Sequence, residues 1–267
     1  MQVMADADGL ALARARGARW LPVRRLRSIE EAARFVEDVG FALLFPTDRP
    51  TAPTLWEAVA GPDAVPFAHG MGDSESLVWS WKDALPEARM AWSGPFLHRR
   101  ASLLSPRLLA ALYPGEGAPD DHRAFSLSGD AHRIAEALLT GPMPSSALRK
   151  LVGDRSRYDR AIRELHRQLL VTSAGTREQR SGWPAVAIEL TCRRFDVGDG
   201  QDHRYATARF LDTMVEATPA DLARAYGWPT DLARAALNDL VAQEAAVRPP
   251  GGYRAAPRNA HPDTAFS

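Results

Sequence analysis

The sequence predicts an α+β chain, mainly helical, built on a helix–turn–helix followed by a β-hairpin and repeated once. Three observations predict it. The first is the stretch from Ser145 to Leu190. Ala147 to Val152 reads as a short helix, Gly153-Asp154 as a stop followed by an N-cap, and Arg155 to Leu169 as a second helix. At about 100° per residue, Tyr158, Ala161, Ile162, Leu165 and Leu169 share one face of that second helix. Arg157, Arg160, Arg163 and Arg167 share the opposite face, interrupted by Glu164. One side calls for a core and the other for an anion, or for nothing but water.

The second observation is the hairpin that follows. Leu170-Val171-Thr172 leads into a polar turn with Gly175, Arg177, Arg180 and Gly182, and Trp183 to Leu190 returns. Helix, turn, basic helix and charged ribbon is the order of a winged helix, whose second helix enters the DNA major groove while the wing touches the backbone. The third is a second copy. Ala220–Gly227 has the spacing of Ser146–Gly153, and Ala236, Leu237 and Leu240 stand where Ala161, Ile162 and Leu165 stood, with one residue inserted. Val247, the turn Pro249-Pro250-Gly251-Gly252 and Tyr253 form a short second wing. A period of this length suits two whole small domains rather than a solenoid. The expected architecture is therefore tandem winged-helix domains with short β-wings plus an N-terminal α/β segment.

Taken in order, residues 1–27 read as a flexible arm carrying Arg14, Arg16 and Arg19. Residues 28–114 form a Trp-rich α/β region. Ser28-Ile29-Glu30-Glu31 is a capping box opening a helix to Val39, and Gly40 ends it. Phe41 to Phe45 is a buried strand stopped by Pro46, and Leu55 to Ala60 is a helical turn. Trp79, Trp81 and Trp92 follow, with Lys82-Asp83 after the second and a helix reopening at Pro86 through Trp92. His98-Arg99-Arg100 is a basic cluster, and Ser105-Pro106 opens a helix to Tyr113. Gly115 to Asp121 is a polar linker. The first winged helix occupies 122–194, with its first helix at Asp130–Leu139 and a turn at Pro142–Pro144. Phe195 to His203 links it to the second, at 204–256, and 257–267 is a tail.

Composition narrows the function classes. The 267 residues carry no net charge, with 25% charged and 45% hydrophobic residues, an ordinary globular balance. Charge is unevenly placed. Ala147 to Arg194 holds eleven Arg or Lys against five Asp or Glu, whereas Arg204 to Arg258 holds seven against six, so the first winged helix is the better anion binder. Cys192 is the only cysteine, which excludes an internal disulfide and a Cys-cluster zinc site and fits a reducing cytoplasm. No metal spacing among the histidines, no phosphate-cradling Gly loop and no Ser-His-Asp pattern is present, so neither metal nor cofactor is expected. No stretch suits a membrane span, and Asp6 and Asp8 sit where a secretion signal would be apolar.

Phe41-Ala-Leu-Leu-Phe-Pro46, Leu55-Trp-Glu-Ala-Val-Ala-Gly61, Trp79-Ser-Trp-Lys-Asp-Ala-Leu-Pro86 and Ser156-Arg-Tyr-Asp-Arg-Ala161 occur in that order. Together they resemble the bacterial AlkZ-related proteins, winged-helix proteins grouped with the AlkZ/YcaQ DNA glycosylases, over most of the chain from Ser28. The resemblance implies double-stranded DNA, intact or damaged, as partner, and a place at the nucleoid. Glycosylases of that superfamily excise alkylated bases and unhook crosslinks with a Gln-apolar-Gln or Gln-apolar-Asp motif that holds a water at the sugar. Here Gln2, Gln168, Gln179, Gln201 and Gln243 begin no such motif.

The DNA-binding set is accordingly Arg155, Arg157, Arg160, Arg163, Arg167, Arg177, Arg180 and Lys82. If the chain is catalytic, excision needs a stacking pocket and a carboxylate near the anomeric carbon. Trp79 and Trp81 are the stacking residues, and Asp83 and Glu57 the carboxylates; the alternative is that the tryptophans fill a core and Lys82 pairs with Asp83. Three functions stay open: a DNA-binding, repair-associated homologue without the glutamine motif, a glycosylase with a divergent catalytic set, and a transcriptional regulator.

Overall fold

The computed structural model describes residues 2–48, 51–177 and 185–256. Helix α1 spans Gln2–Trp20, so the arm expected to be flexible is helical. Trp20 fixes it: the indole is buried and its Nε1 donates to the Thr213 carbonyl at 2.7 Å. Arg16 donates to the carbonyls of Met214 and Glu216, at 3.0 and 3.1 Å. Arg16 thus serves carbonyls at and just beyond a helix end, an ordinary use of a cation there.

Helix α2 (Ile29–Val39) starts at the Ser28 capping box with Glu31 and ends at Gly40, whose φ of 80° suits glycine. Strand β1 (Phe41–Leu43), α3 (Leu55–Ala60) and α4 (Asp73–Glu87) follow, then β2 (Trp92–Pro95), β3 (Ala101–Leu104) and α5 (Pro106–Leu112). The strands form an antiparallel sheet in the order β1-β3-β2, with Phe41 and Trp92 flanking Leu104 in register. Here the reading of Pro86 as a helix start is corrected. Pro86 lies inside the last turn of α4, where a missing N–H costs one bond at most, and Trp92 lies on a strand.

The repeat is present. Helix α6 (Gly129–Leu138), β4 (Met143–Pro144), α7 (Ser145–Val152), α8 (Arg155–Arg167), β5 (Val171–Arg177) and β6 (Ala185–Leu190) make the first unit. After a short α9 (Thr191–Arg194), α10 (His203–Met214), β7 (Glu216–Ala217), α11 (Pro219–Tyr226), α12 (Thr230–Ala242), β8 (Ala246–Val247) and β9 (Tyr253–Ala255) make the second. Sheet orders β4-β6-β5 and β7-β9-β8 are the same topology. Gly153 and Gly227 end the equivalent helices α7 and α11 in the left-handed region, at φ 83° and 71°. Two local corrections apply. Pro142–Pro144 is not merely a turn, because Met143 and Pro144 pair with Ile188 and Ala187. Gly175 lies within β5 rather than in the hairpin turn, at a bulge between Ser173 and Thr176 with φ 85°. Gly182, Trp183 and Arg180 fall outside the described residues, as do Pro257 to Ser267.

Leu165 and Leu240 occupy the same place in the two units and are both buried, whereas Ile162 is only partly covered although its counterpart Leu237 is buried. Leu165→Ala and Leu240→Ala should each cost about 2–5 kcal/mol. Urea midpoints measure it, and a loss below about 1 kcal/mol at either site would remove that leucine from the core.

One buried apolar cluster runs from Trp20 through Trp92 and Leu165 to Tyr253; a second packs α2, α3 and α4 together. The base of the β5–β6 hairpin is covered by the N-terminal sheet. Trp92 Nε1 donates to the Val171 carbonyl (3.1 Å) and to Thr191 Oγ1 (3.3 Å), and the Ser93 amide donates to Thr172 Oγ1 (3.2 Å). Gly115 to Asp121, read as a linker, is stitched by a buried carboxylate. Asp121 accepts from the Tyr113 hydroxyl (2.8 Å) and from the amides of Glu116 (3.1 Å) and Gly117 (2.9 Å). No described helix is long and apolar enough to cross a membrane.

Candidate nucleic-acid interface

Asp154 caps α8 by accepting from the Arg157 amide at 2.8 Å, which fixes where the helix starts and which way its faces point. Tyr158, Ala161, Leu165 and Leu169 are buried, and Arg155, Arg157, Arg160, Arg163 and Arg167 are exposed. These arginines are not equivalent. Arg157 makes a bidentate pair with Asp130 on α6, at 2.8 and 2.7 Å, and holds that carboxyl below its ordinary pKa. Arg163 donates to the Asp159 carbonyl at 2.7 Å, and Arg155 lies 3.9 Å from the Asp159 carboxylate. Arg160 and Arg167 have no ion pair among the described residues. Glu164 is turned aside, accepting from the amide and hydroxyl of Ser128 at 3.0 and 2.6 Å. Arg177 is exposed at the end of β5.

His166, unremarked in the helix periodicity, is buried beneath α8. Its Nδ1–H donates to the Ile162 carbonyl at 2.8 Å and its ring meets Trp92 edge-on, centroids 5.9 Å apart. Burial pushes its pKa down to about 4.

Beyond the C-terminal end of α8 lies a cleft of about 450 Å³. Arg167 and Gln168 form one side. The 3₁₀ turn Leu97–Arg99 brings His98 and Arg99, and α11 with the turn after it brings Arg224 and Trp228. The basic cluster seen in the sequence is thus set against the last turn of the basic helix. His98, Arg99 and Leu169 all have left-handed backbones, at φ 50°, 60° and 56°. Such strained residues gather at functional sites. Burial, and after it the Arg224 guanidinium, lowers the His98 pKa.

The Trp-rich stretch is arranged differently from the stacking pair expected of it. Successive odd positions on a helix do not face the same way. Because α4 runs unbroken through both, Trp81 is buried in the N-terminal core while Trp79 is 51% exposed. The Lys82 ammonium lies 5.2 Å from the Trp79 ring centroid and 2.6 Å from Asp83 Oδ1. Glu57 accepts from the Thr54 hydroxyl at 2.7 Å as part of the start of α3. Glu57, Lys82 and Asp83 do not line the cleft. Among the described residues no group of His, Cys, Asp and Glu is placed to hold a metal ion.

The fold has a likeness among solved structures. It is similar to the Streptomyces sahachiroi DNA glycosylase AlkZ, with a TM-score of 0.54 and 14% identity over 91% of this chain and 68% of that one. No curated protein matches the sequence. The family model described as AlkZ related matches residues 26–220, and the chain belongs to the AlkZ-related family.

Proposed function

We propose that the chain is a repair-associated double-stranded DNA-binding protein of the nucleoid whose two repeated units are winged helices. The observation that carries this is the face of α8, where Arg160 and Arg167 are exposed beside Arg163 and close no ion pair among the described residues, although Arg160 feels the Asp130 charge. Guanidiniums in that state gain more from a phosphate backbone than from water, because binding releases condensed counterions. Arg157 contributes less, being spent on Asp130. Family membership and the likeness in fold to a DNA glycosylase support a role in repair. The absence of a Gln-apolar-Gln or Gln-apolar-Asp motif supports binding without that route to excision.

Replacing Arg160, Arg163 and Arg167 with Ala should make log affinity for duplex DNA less steep against log salt by about one unit per lost phosphate contact, up to three. Arg157→Ala should change the slope by less than Arg160→Ala. Fluorescence anisotropy with a labelled duplex at stepped salt concentrations reads both. An unchanged slope in the triple variant would show that the face is only solvated. Base release from alkylated duplex by excess protein would instead favour the glycosylase reading.

A further inference from the structure

We propose that the cleft at the C-terminal end of α8 is a mononucleotide site, taking one nucleotide unit by its phosphate and its base. The source is either a free nucleoside 5′-monophosphate or the terminal nucleotide of a DNA strand. The inference goes beyond contact with duplex phosphates and stands without it.

Charge is the first argument. Arg99, Arg167 and Arg224 come from three separate elements and line one concavity with no Asp or Glu in its wall. None of the three has an ion pair among the described residues. Like charges gathered in a cleft repel, and a bound anion relieves them. Planar guanidiniums fit phosphate oxygens in pairs, which selects phosphate over a simple halide.

The rest of the wall suits a base. Trp228 is braced edge-on by Tyr226 and His203, with centroids 5.2 and 4.8 Å away, so its indole is held in place. A fixed, partly exposed indole is a stacking platform that tolerates any base. Gln168 and Gln201 also line the cleft. Gln201 Nε2 donates to the Leu112 carbonyl at 3.0 Å, which orients the amide and leaves its oxygen to accept. A volume of about 450 Å³ lies within the range of small-ligand pockets. The left-handed backbones of His98, Arg99 and Leu169 form the rim, and strain of that kind recurs at ligand clamps.

The test is calorimetric titration of the full chain with dAMP, inorganic phosphate and deoxyadenosine, with thermal melts confirming that each variant folds. Saturable dAMP binding is expected, tighter than phosphate or deoxyadenosine. It should weaken at least about ten-fold in Arg224→Gln and in Arg99→Gln, the size of one lost charge-assisted contact. Trp228→Ala should weaken dAMP more than phosphate. Arg234→Ala, on α12 and paired with Asp231, should bind dAMP as the parent does. A 5′-phosphorylated hairpin that displaces dAMP, where the 5′-hydroxyl hairpin does not, identifies a strand end as the source; failure of both identifies the free nucleotide. No saturable dAMP binding, equal affinity for phosphate and dAMP, or full binding in both Arg variants overturns the site. Duplex affinity in the same preparations keeps the readings apart, since a chain that binds duplex but no dAMP loses this site alone.

Discussion

Trp92→Ala should destabilise the chain by about 3–5 kcal/mol, the range for truncating a fully buried large aromatic. The side chain has no exposure and belongs to β2, yet its indole N–H serves the carbonyl of Val171 in the first repeated unit and the hydroxyl of Thr191 just after it. Removing it opens a cavity and leaves both acceptors without their donor, so two penalties add. Gly94 packs tightly against this ring and against His166, since a Cβ there would come within 2.5 and 2.3 Å of them. Trp92→Phe separates the two terms, restoring most of the packing but not the N–H. Guanidinium denaturation at neutral pH should rank Ala below Phe and Phe below the parent. A loss under about 1 kcal/mol for Ala would mean that the N-terminal sheet and the hairpin are not mechanically joined.

Stability should also fall by about 3 kcal/mol between pH 6.5 and pH 4 on account of His166 alone. The folded imidazole is held at about 4 by burial, whereas an unfolded histidine titrates near 6.5. Below 6.5 the unfolded chain takes up a proton that the folded chain refuses, so unfolding gains as pH falls. The contribution is complete above 6.5 and is lost as pH drops through the folded value. Other groups also take up protons as the pH falls, so the comparison is with His166→Asn, whose side chain does not titrate here. Denaturation midpoints measured from pH 7.5 to 4 should be flatter in the variant. Parallel curves would show that His166 is not shielded from water.

The parts of this fold that were legible in the sequence are those specified by neighbours in the chain. The Ser28 capping box, the glycine stop at Gly153 and the Asp154 cap each need only three or four residues. The apolar and basic faces of α8 follow from a single rotation rule, and the repeat from matching two such patterns. What escaped depends on partners far away. Helix α1 is weakly amphipathic and is fixed by Trp20 and Arg16 reaching residues 213–216. Trp81 and Trp79 look alike in a string, and only the continuity of α4 through Pro86 sends one inward and the other out. His166 passed unnoticed because its bond to Ile162, one turn back, lets a polar ring lie in an apolar setting. The cleft was invisible for the same reason, since Arg99, Arg167 and Arg224 share no local motif and meet only after three elements pack.

Asp121 sets a limit on how the chain can be taken apart. Gly115 to Asp121 has the composition of a place to cut, tag or splice, yet three donors converge there on one buried carboxylate. A Cβ at Gly117 would lie 2.2 Å from the carbonyl of Val197, so the segment is also clamped from the far side. A fragment ending in this loop would strand the Asp121 charge in an apolar setting with its donors gone, a fault that exceeds the benefit of a shorter chain. The stretch that most resembles a seam is a rivet, and fragments meant to report on either half are better bounded elsewhere.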